Sequence, residues 1–181
     1  MIDHSPYTRT GTGPNAVLLL HGIAGSPGHF RDLVPVIPAE FSVYNILLDG
    51  HSGKTENFSR SSMAKWKAQV AATLADLFAR HEKVVIVAHS MGTLFAIQSA
   101  IDHPDKIPAL FLLAAPLKLF LKPKMAINAF KVYFDKISPY DHEALAAKKC
   151  YGIGKDKNPL NYIGWIPRFP PELLRNPKPS T

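Results

Sequence analysis

Residues 84–93 read V-V-I-V-A-H-S-M-G-T. Four β-favouring residues run into a serine with a small residue two places to either side, Ala88 and Gly92, and an apolar stretch suited to a helix follows. A strand that passes straight into a helix must bend sharply at the junction. The residue at the bend takes backbone angles outside the usual wells, and its neighbours at minus two and plus two come too close to carry bulk. The spacing therefore predicts that the Ser90 hydroxyl stands above the C-terminal edge of a sheet, where open α/β sheets bind ligands. The N–H groups that open the following helix then face the same space and can stabilise a developing negative charge. The Met91 N–H is one such donor.

The rest of the chain supplies the sheet. Apolar runs at 16–20, 43–48, 84–88 and 110–114 are strand candidates, and none alternates cleanly with polar residues. That pattern fits strands buried on both faces, as in a parallel sheet. The gaps between them hold helices. Ser61 or Ser62 caps one that runs to about Arg80, with Met63, Trp66, Val70, Leu74, Leu77 and Phe78 on one face. A second runs from Ser90 to about Asp102, before His103-Pro104, and a third from about Gly28 to Val36. Strand alternating with helix means right-handed βαβ units and an α/β fold. After Pro116 the character changes. Residues 117–137 form a basic amphipathic stretch with Phe120, Phe130, Tyr133 and Phe134, a helical piece is expected over 141–150, and Pro and Gly are frequent from Tyr151 onward. The expected organisation is a core over 1–115 and a cap with a Pro-rich tail over 116–181.

Composition narrows the function classes. The net charge of +7 lies wholly in residues 116–181, with 12 Lys+Arg against 5 Asp+Glu, whereas residues 1–115 hold 9 of each. The basic residues are scattered and do not alternate with aromatics, so a solvated face is expected and nucleic acid is not. One cysteine, Cys150, forms no internal disulfide, which suggests a reducing, cytoplasmic compartment. The N-terminus lacks the basic start and apolar run of a secretory signal, and no apolar run approaches the roughly 20 residues that span a bilayer. The segment G-H-S-G-K-T at 50–55 suggests a phosphate loop, but Leu48 stands where that motif needs a glycine. No histidine pair has metal-ligand spacing with a carboxylate. No cofactor is expected.

A second motif, L-L-L-H-G-I-A-G at 18–25, ends the first strand. An oxyanion hole needs a backbone N–H from a neighbouring loop as well as the one after the serine, and Ile23 is the candidate donor. With these residues, the chain resembles the α/β-hydrolase superfamily, close to its bacterial carboxylesterase and monoacylglycerol-lipase branch. The resemblance is carried by His21-Gly22 with Gly25, by L-D-G-H-S-G at 48–53, by Trp66, and by His89-Ser90-Met91-Gly92, in the family's order over roughly residues 15–115. Ala88 replaces the usual first glycine of the elbow, and Ser52 interrupts the family's Gly-His-Gly. The resemblance implies a serine hydrolase acting on carboxylic esters, with Ser90 as nucleophile and the Ile23 and Met91 amides as oxyanion hole. It also implies that His21 and His89 line the pocket without carrying protons. A serine at position 90, rather than Asp or Cys, argues against the dehalogenase, epoxide-hydrolase and dienelactone-hydrolase relatives.

A serine hydroxyl needs a base, and the base needs an orienting acid. The family order is Ser, then Asp or Glu, then His, each after a later strand. Beyond the cap there is no β-rich run followed by Asp, and no histidine follows His142. Asp141-His142 is the only late acid–histidine pair, and adjacent residues do not readily orient each other. The expectation is a hydrolase lacking the C-terminal strands of the usual fold, with at most weak activity. Three explanations are an N-terminal piece of a longer enzyme, a natural short form kept for binding or assembly, and a second chain that supplies the rest. The rival class is a catalytically inactive binding or assembly module. Expected partners are an ester with an apolar acyl group, a lipid interface at the aromatic, basic cap, and another copy of the chain through the exposed edge strand 110–114.

Overall fold

A computed structural model describes residues 4–51, 53, 57–58, 60–117, 127–128, 131, 134 and 136–150. Five strands form one sheet in the order β1-β3-β2-β4-β5. They are β1 (Tyr7–Arg9), β2 (Ala16–Leu20), β3 (Ser42–Asn45), β4 (Val84–His89) and β5 (Leu110–Leu113). All neighbours run parallel except β1, which pairs antiparallel with β3. β1 is a three-residue edge strand that the apolar-run criterion passes over, because its residues are Tyr, Thr and Arg.

β2 and β4 sit at the centre, and their side chains divide by the two-residue period of a strand. Ala16, Leu18 and Leu20 join Val84, Ile86 and Ala88 in the larger core cluster. Val17, Leu19 and Val87 join Phe30 and Val43 in a smaller cluster on the other face. Both faces are covered, which is why neither strand alternates in sequence.

The larger cluster is closed by α1 (Met63–Arg80) and α2 (Met91–Asp102). Ser62 is the N-cap of α1, its side chain accepting the Lys65 N–H at 3.3 Å, and Met63, Trp66, Val70, Leu74 and Leu77 are buried, as their spacing predicts. Phe78 is partly buried against the same cluster.

The helix expected over 28–36 is two 3₁₀ turns, Pro27–Phe30 and Val34–Val36. Pro35 lies within the second turn and Pro38 follows it, and neither has an N–H for a helical ladder. The Arg9 guanidinium instead donates to the carbonyls of Ile37 (2.9 Å), Pro38 (2.8 Å) and Phe41 (3.3 Å). The strand expected over 43–48 is shorter, because after Asn45 the chain leaves the sheet to form the His51 turn.

β5 is exposed, as expected of an apolar edge strand and unlike the both-face burial that its L-F-L-L run alone suggests: Phe111 is 60% exposed, Leu113 45% and Leu112 37%. Among the described residues β5 pairs only with β4 and is covered mainly by α2. The strand ends at Leu113, since Ala114 takes a positive φ of 52°.

The helical piece expected over 141–150 is α3 (His142–Cys150), which packs against the turn Pro27–Phe30. Most of the stretch 117–137 and all of 151–181 lie outside the described residues.

Candidate functional site

The bend between β4 and α2 has the geometry its spacing requires. Ser90 sits at φ 50°, ψ −122°, a region that costs a non-glycine residue on the order of 1–3 kcal/mol. Surrounding contacts hold it there. Its N–H donates to Leu113 O of β5 at 2.9 Å, and its carbonyl accepts from Thr93 N at 2.9 Å and Thr93 Oγ1 at 2.6 Å. Every hydrogen bond Ser90 makes among the described residues is thus made by its backbone, and the side chain is half-buried at the end of the sheet.

Glycines bring the neighbouring chain close. A Cβ on Gly92 would lie 2.4 Å from Leu20 O and 2.7 Å from His21 O, so the first turn of α2 presses on the end of β2. A Cβ on Gly22 would lie 2.8 Å from the Ser90 Cβ and 3.2 Å from His89 Nδ1. The loop carrying Ile23 therefore passes directly beside the serine. Met91 is the first residue of α2 and is buried, while Ile23 is partly buried against the larger core. No hydrogen bond among the described residues engages the Ile23 or Met91 amide.

Four histidines surround this loop, and the structure sorts their roles. His21 is fully buried. Its Nε2 accepts the Leu48 N–H at 3.1 Å, so Nδ1 carries the proton and donates to Gly22 O at 2.9 Å. Burial, reinforced by the nearby His51, pushes its pKa down to about 3. It is a neutral brace between two loops. His51 stands edge-on to it at 4.7 Å, packed against Phe58 and Trp66. Its Nδ1 faces the carbonyls of Leu48 and Asp49, both at 3.2 Å, leaving a buried Nε2 with no hydrogen-bond partner among the described residues, and burial lowers its pKa to about 4.

His89 and His29 are half-buried and stacked, ring centroids 3.9 Å apart. Burial lowers both pKa values, that of His89 to about 4, with each other's proximity adding to it for His89. His29 has no motif signature. It reaches the site because the Pro27–Phe30 turn folds back beside the elbow, which local sequence could not reveal.

The turn after β3 is tied to α1 by polar contacts. Trp66 Nε1 donates to Asp49 O at 2.8 Å, Ser61 Oγ to Asp49 Oδ2 at 2.7 Å, and Gln69 Nε2 to Leu47 O at 2.8 Å, while Gln69 Oε1 accepts from Asp49 N at 2.8 Å. An open cavity of about 570 Å³ lies here, lined by residues 47–51 with Lys65, Ala68 and Gln69, and it includes none of Ser90, Ile23 and Met91. At the far end of the chain, His142 is exposed. Asp141 Oδ1 caps α3 through the Ala144 N–H at 3.1 Å, and its Oδ2 pairs with Lys131 at 2.7 Å. That carboxylate is occupied structurally.

Comparison with known proteins matches the fold. A family model described as the alpha/beta hydrolase fold matches residues 15–149. The thermostable monoacylglycerol lipase of Bacillus sp. (strain H-257) is 32% identical over 94 residues, covering 51% of this chain and 38% of that protein. The coelenterazine h 2-monooxygenase of Renilla reniformis is 33% identical over 98 residues, covering 53% of this chain and 31% of that protein. The chain thus spans about a third of the length of these curated relatives. Among solved structures, one from a study of two metagenome-derived lipolytic enzymes superposes with a TM-score of 0.60 at 23% identity, over 75% of this chain and 54% of that one. The monoacylglycerol lipase of Paleococcus ferrophilus gives a TM-score of 0.52 at 24% identity, over 75% of this chain and 52% of that one. At such identities these two likenesses show the fold alone.

Proposed function

The chain belongs to the α/β-hydrolase fold family, on its bacterial esterase- and lipase-like side, and from that premise we propose that it carries the nucleophilic half of a carboxylic ester hydrolase. Ser90 attacks the ester carbonyl, the Ile23 and Met91 amides hold the oxyanion, the ester C–O bond breaks as the alcohol leaves with the serine's proton, and water then cleaves the acyl-enzyme to the carboxylic acid and free Ser90. One observation carries this reading. Ser90 holds a strained, positive-φ conformation between β4 and α2, with the Gly22 backbone pressed against it. The monoacylglycerol lipase among the curated relatives supports the ester, although the monooxygenase among them shows that the fold serves other chemistry.

The substrate proposed is a small ester with an apolar acyl group, met at a lipid interface. This rests on the aromatic, basic character of residues 117–137. The core over 1–115 and the cap with its Pro-rich tail over 116–181 are proposed as separate functional units. A cytoplasmic setting is proposed from the single cysteine. No helix among the described residues is long and apolar enough to cross a membrane.

A second reading, an inactive binding or assembly module on the same scaffold, is favoured by one feature. No described histidine or carboxylate hydrogen bonds to the Ser90 hydroxyl. Loss of a triad member costs on the order of 10⁴ to 10⁶ in turnover, while an oxyanion hole retains a residual rate. Turnover of p-nitrophenyl esters decides between the two readings. A slow rate abolished by Ser90→Ala supports the hydrolase, and a rate equal in both proteins refutes it.

A further inference from the structure

We propose that Thr93 is a positioning residue for the candidate oxyanion hole, its hydroxyl holding the peptide plane that aims the Met91 N–H beside the Ser90 side chain. With the Met91 and Ile23 amides read as oxyanion donors, on which this rests, Thr93 acts through the backbone and touches no substrate. It is fully buried in the first turn of α2. Its Oγ1 donates to Ser90 O at 2.6 Å, and its N–H donates to the same oxygen at 2.9 Å. The described peptide bonds are trans, so a carbonyl and the N–H that follows it point in opposite directions. Fixing Ser90 O on the α2 side therefore turns the Met91 N–H out of the helix, toward the end of the sheet.

A threonine hydroxyl in a helix often bonds a carbonyl three or four residues back, and packing alone would account for that. Two observations give the bond a further task here. Ser90 holds φ 50° and ψ −122°, and relief of that strain by rotation about ψ would swing the Ser90–Met91 plane and carry the Met91 N–H with it. One bond to Ser90 O lets the plane rock about it, whereas two donors at different angles hold it. The second loop is built the same way. Gly22 O, in the plane that carries the Ile23 N–H, accepts one side-chain and one backbone donor, His21 Nδ1 at 2.9 Å and Gly25 N at 3.1 Å. Both candidate donors thus belong to planes whose carbonyls are pinned twice, while neither N–H is itself engaged among the described residues. A hole built in this way is set before substrate arrives, which is where its advantage over water lies.

The test compares Thr93→Val, which keeps the shape and loses the hydroxyl, with Thr93→Ser, which keeps the hydroxyl, in the 181-residue chain. Amide relaxation and residual dipolar couplings by NMR report the two N–H vectors without any ester chemistry. In the unaltered chain the Met91 and Ile23 amides should show the order parameter of rigid backbone, about 0.85, although nothing described bonds to them. Thr93→Val should lower the order parameter or change the coupling of Met91 and leave Ile23 as it was, and Thr93→Ser should restore the Met91 values. Turnover of p-nitrophenyl esters should fall about tenfold in kcat with KM unchanged in Thr93→Val, a smaller loss than removing a donor outright, and recover in Thr93→Ser. A Met91 order parameter below about 0.6 in the unaltered chain, or a Met91 amide indifferent to Thr93→Val, overturns the proposal. The first of these needs no variant, so a poorly folding Thr93→Val leaves it falsifiable. A Ser90-dependent kcat that is equal in Thr93→Val and the unaltered chain overturns it too. A chain with no Ser90-dependent turnover whose Met91 amide still follows Thr93 would refute the hydrolase reading and uphold the aiming of the Met91 N–H by Thr93.

Discussion

β2 and β5 are two leucine-rich strands that flank β4 in parallel register. No residue of β2 is more than 5% exposed, while Phe111, Leu112 and Leu113 of β5 are 37–60% exposed. Composition does not separate them; position in the sheet does. β2 has a strand on each side and a packed cluster on each face, whereas β5 has one described neighbour and is covered mainly by α2. The candidate site lies between the two. On the β2 side Ser90 meets the buried Gly22 loop and its His21 brace, and on the β5 side its N–H hangs on Leu113. One wall of the site is therefore built into the core, and the other belongs to the exposed rim of the sheet.

The contrast is broken most directly by equal truncations on the two strands. Leu19→Ala should cost about 2–5 kcal/mol in urea unfolding, because the side chain is fully buried, and Leu113→Ala under about 1 kcal/mol. Equal costs would mean that β5 is covered in solution.

Next in size is Gly92→Ala. Its Cβ would lie 2.4 Å from a backbone oxygen that cannot rotate away, so a loss of about 1–3 kcal/mol or more is expected, together with a changed circular dichroism melt. A neutral result would show that α2 does not press on β2 as described.

Acidification sharpens the comparison on the β2 side. His21 and His51 have folded pKa values of about 3 and about 4, below the unfolded value of 6.5. Between pH 6.5 and 5 the unfolded chain therefore binds more protons than the folded one. Stability should be full above pH 6.5 and fall as pH drops, by on the order of 1 kcal/mol per pH unit for each buried ring. Urea midpoints at pH 7 and pH 5 measure this, and identical midpoints would place these rings in water. The smallest effect expected is that of Trp66→Phe. It removes the hydrogen bond to Asp49 O but keeps a large apolar ring, for a loss of about 1 kcal/mol by the same urea assay.

Much of this architecture was legible in the chain. The small-residue spacing around Ser90 specified a strained bend, because only one local geometry needs that spacing. The periodicity from Met63 to Leu77 specified a buried helix face, and Ser61 or Ser62 marked its start, which lies at Ser62. What could not be read depended on distant partners. Pro35 and Pro38 gave warning against a helix over 28–36, but the group that holds the chain after it, Arg9 on the carbonyls of Ile37 and Pro38, lies far away in sequence. The His29–His89 stack forms only when the turn after β2 folds back. The exposure of β5 reflects what neighbours it, which a run of apolar residues does not encode. No histidine follows His142 to serve as the base for Ser90 in the family's order, and no described side chain hydrogen bonds to its hydroxyl.

We propose that the bend at Ser90 presents its hydroxyl to amides from two loops. Incubation of the 181-residue chain with a fluorophosphonate probe, followed by peptide mass spectrometry, tests it most directly. The account predicts a slow covalent adduct on Ser90, blocked by denaturation and absent from Ser90→Ala. An unlabelled Ser90 in the folded chain, or labelling that Ser90→Ala leaves unchanged, would contradict it.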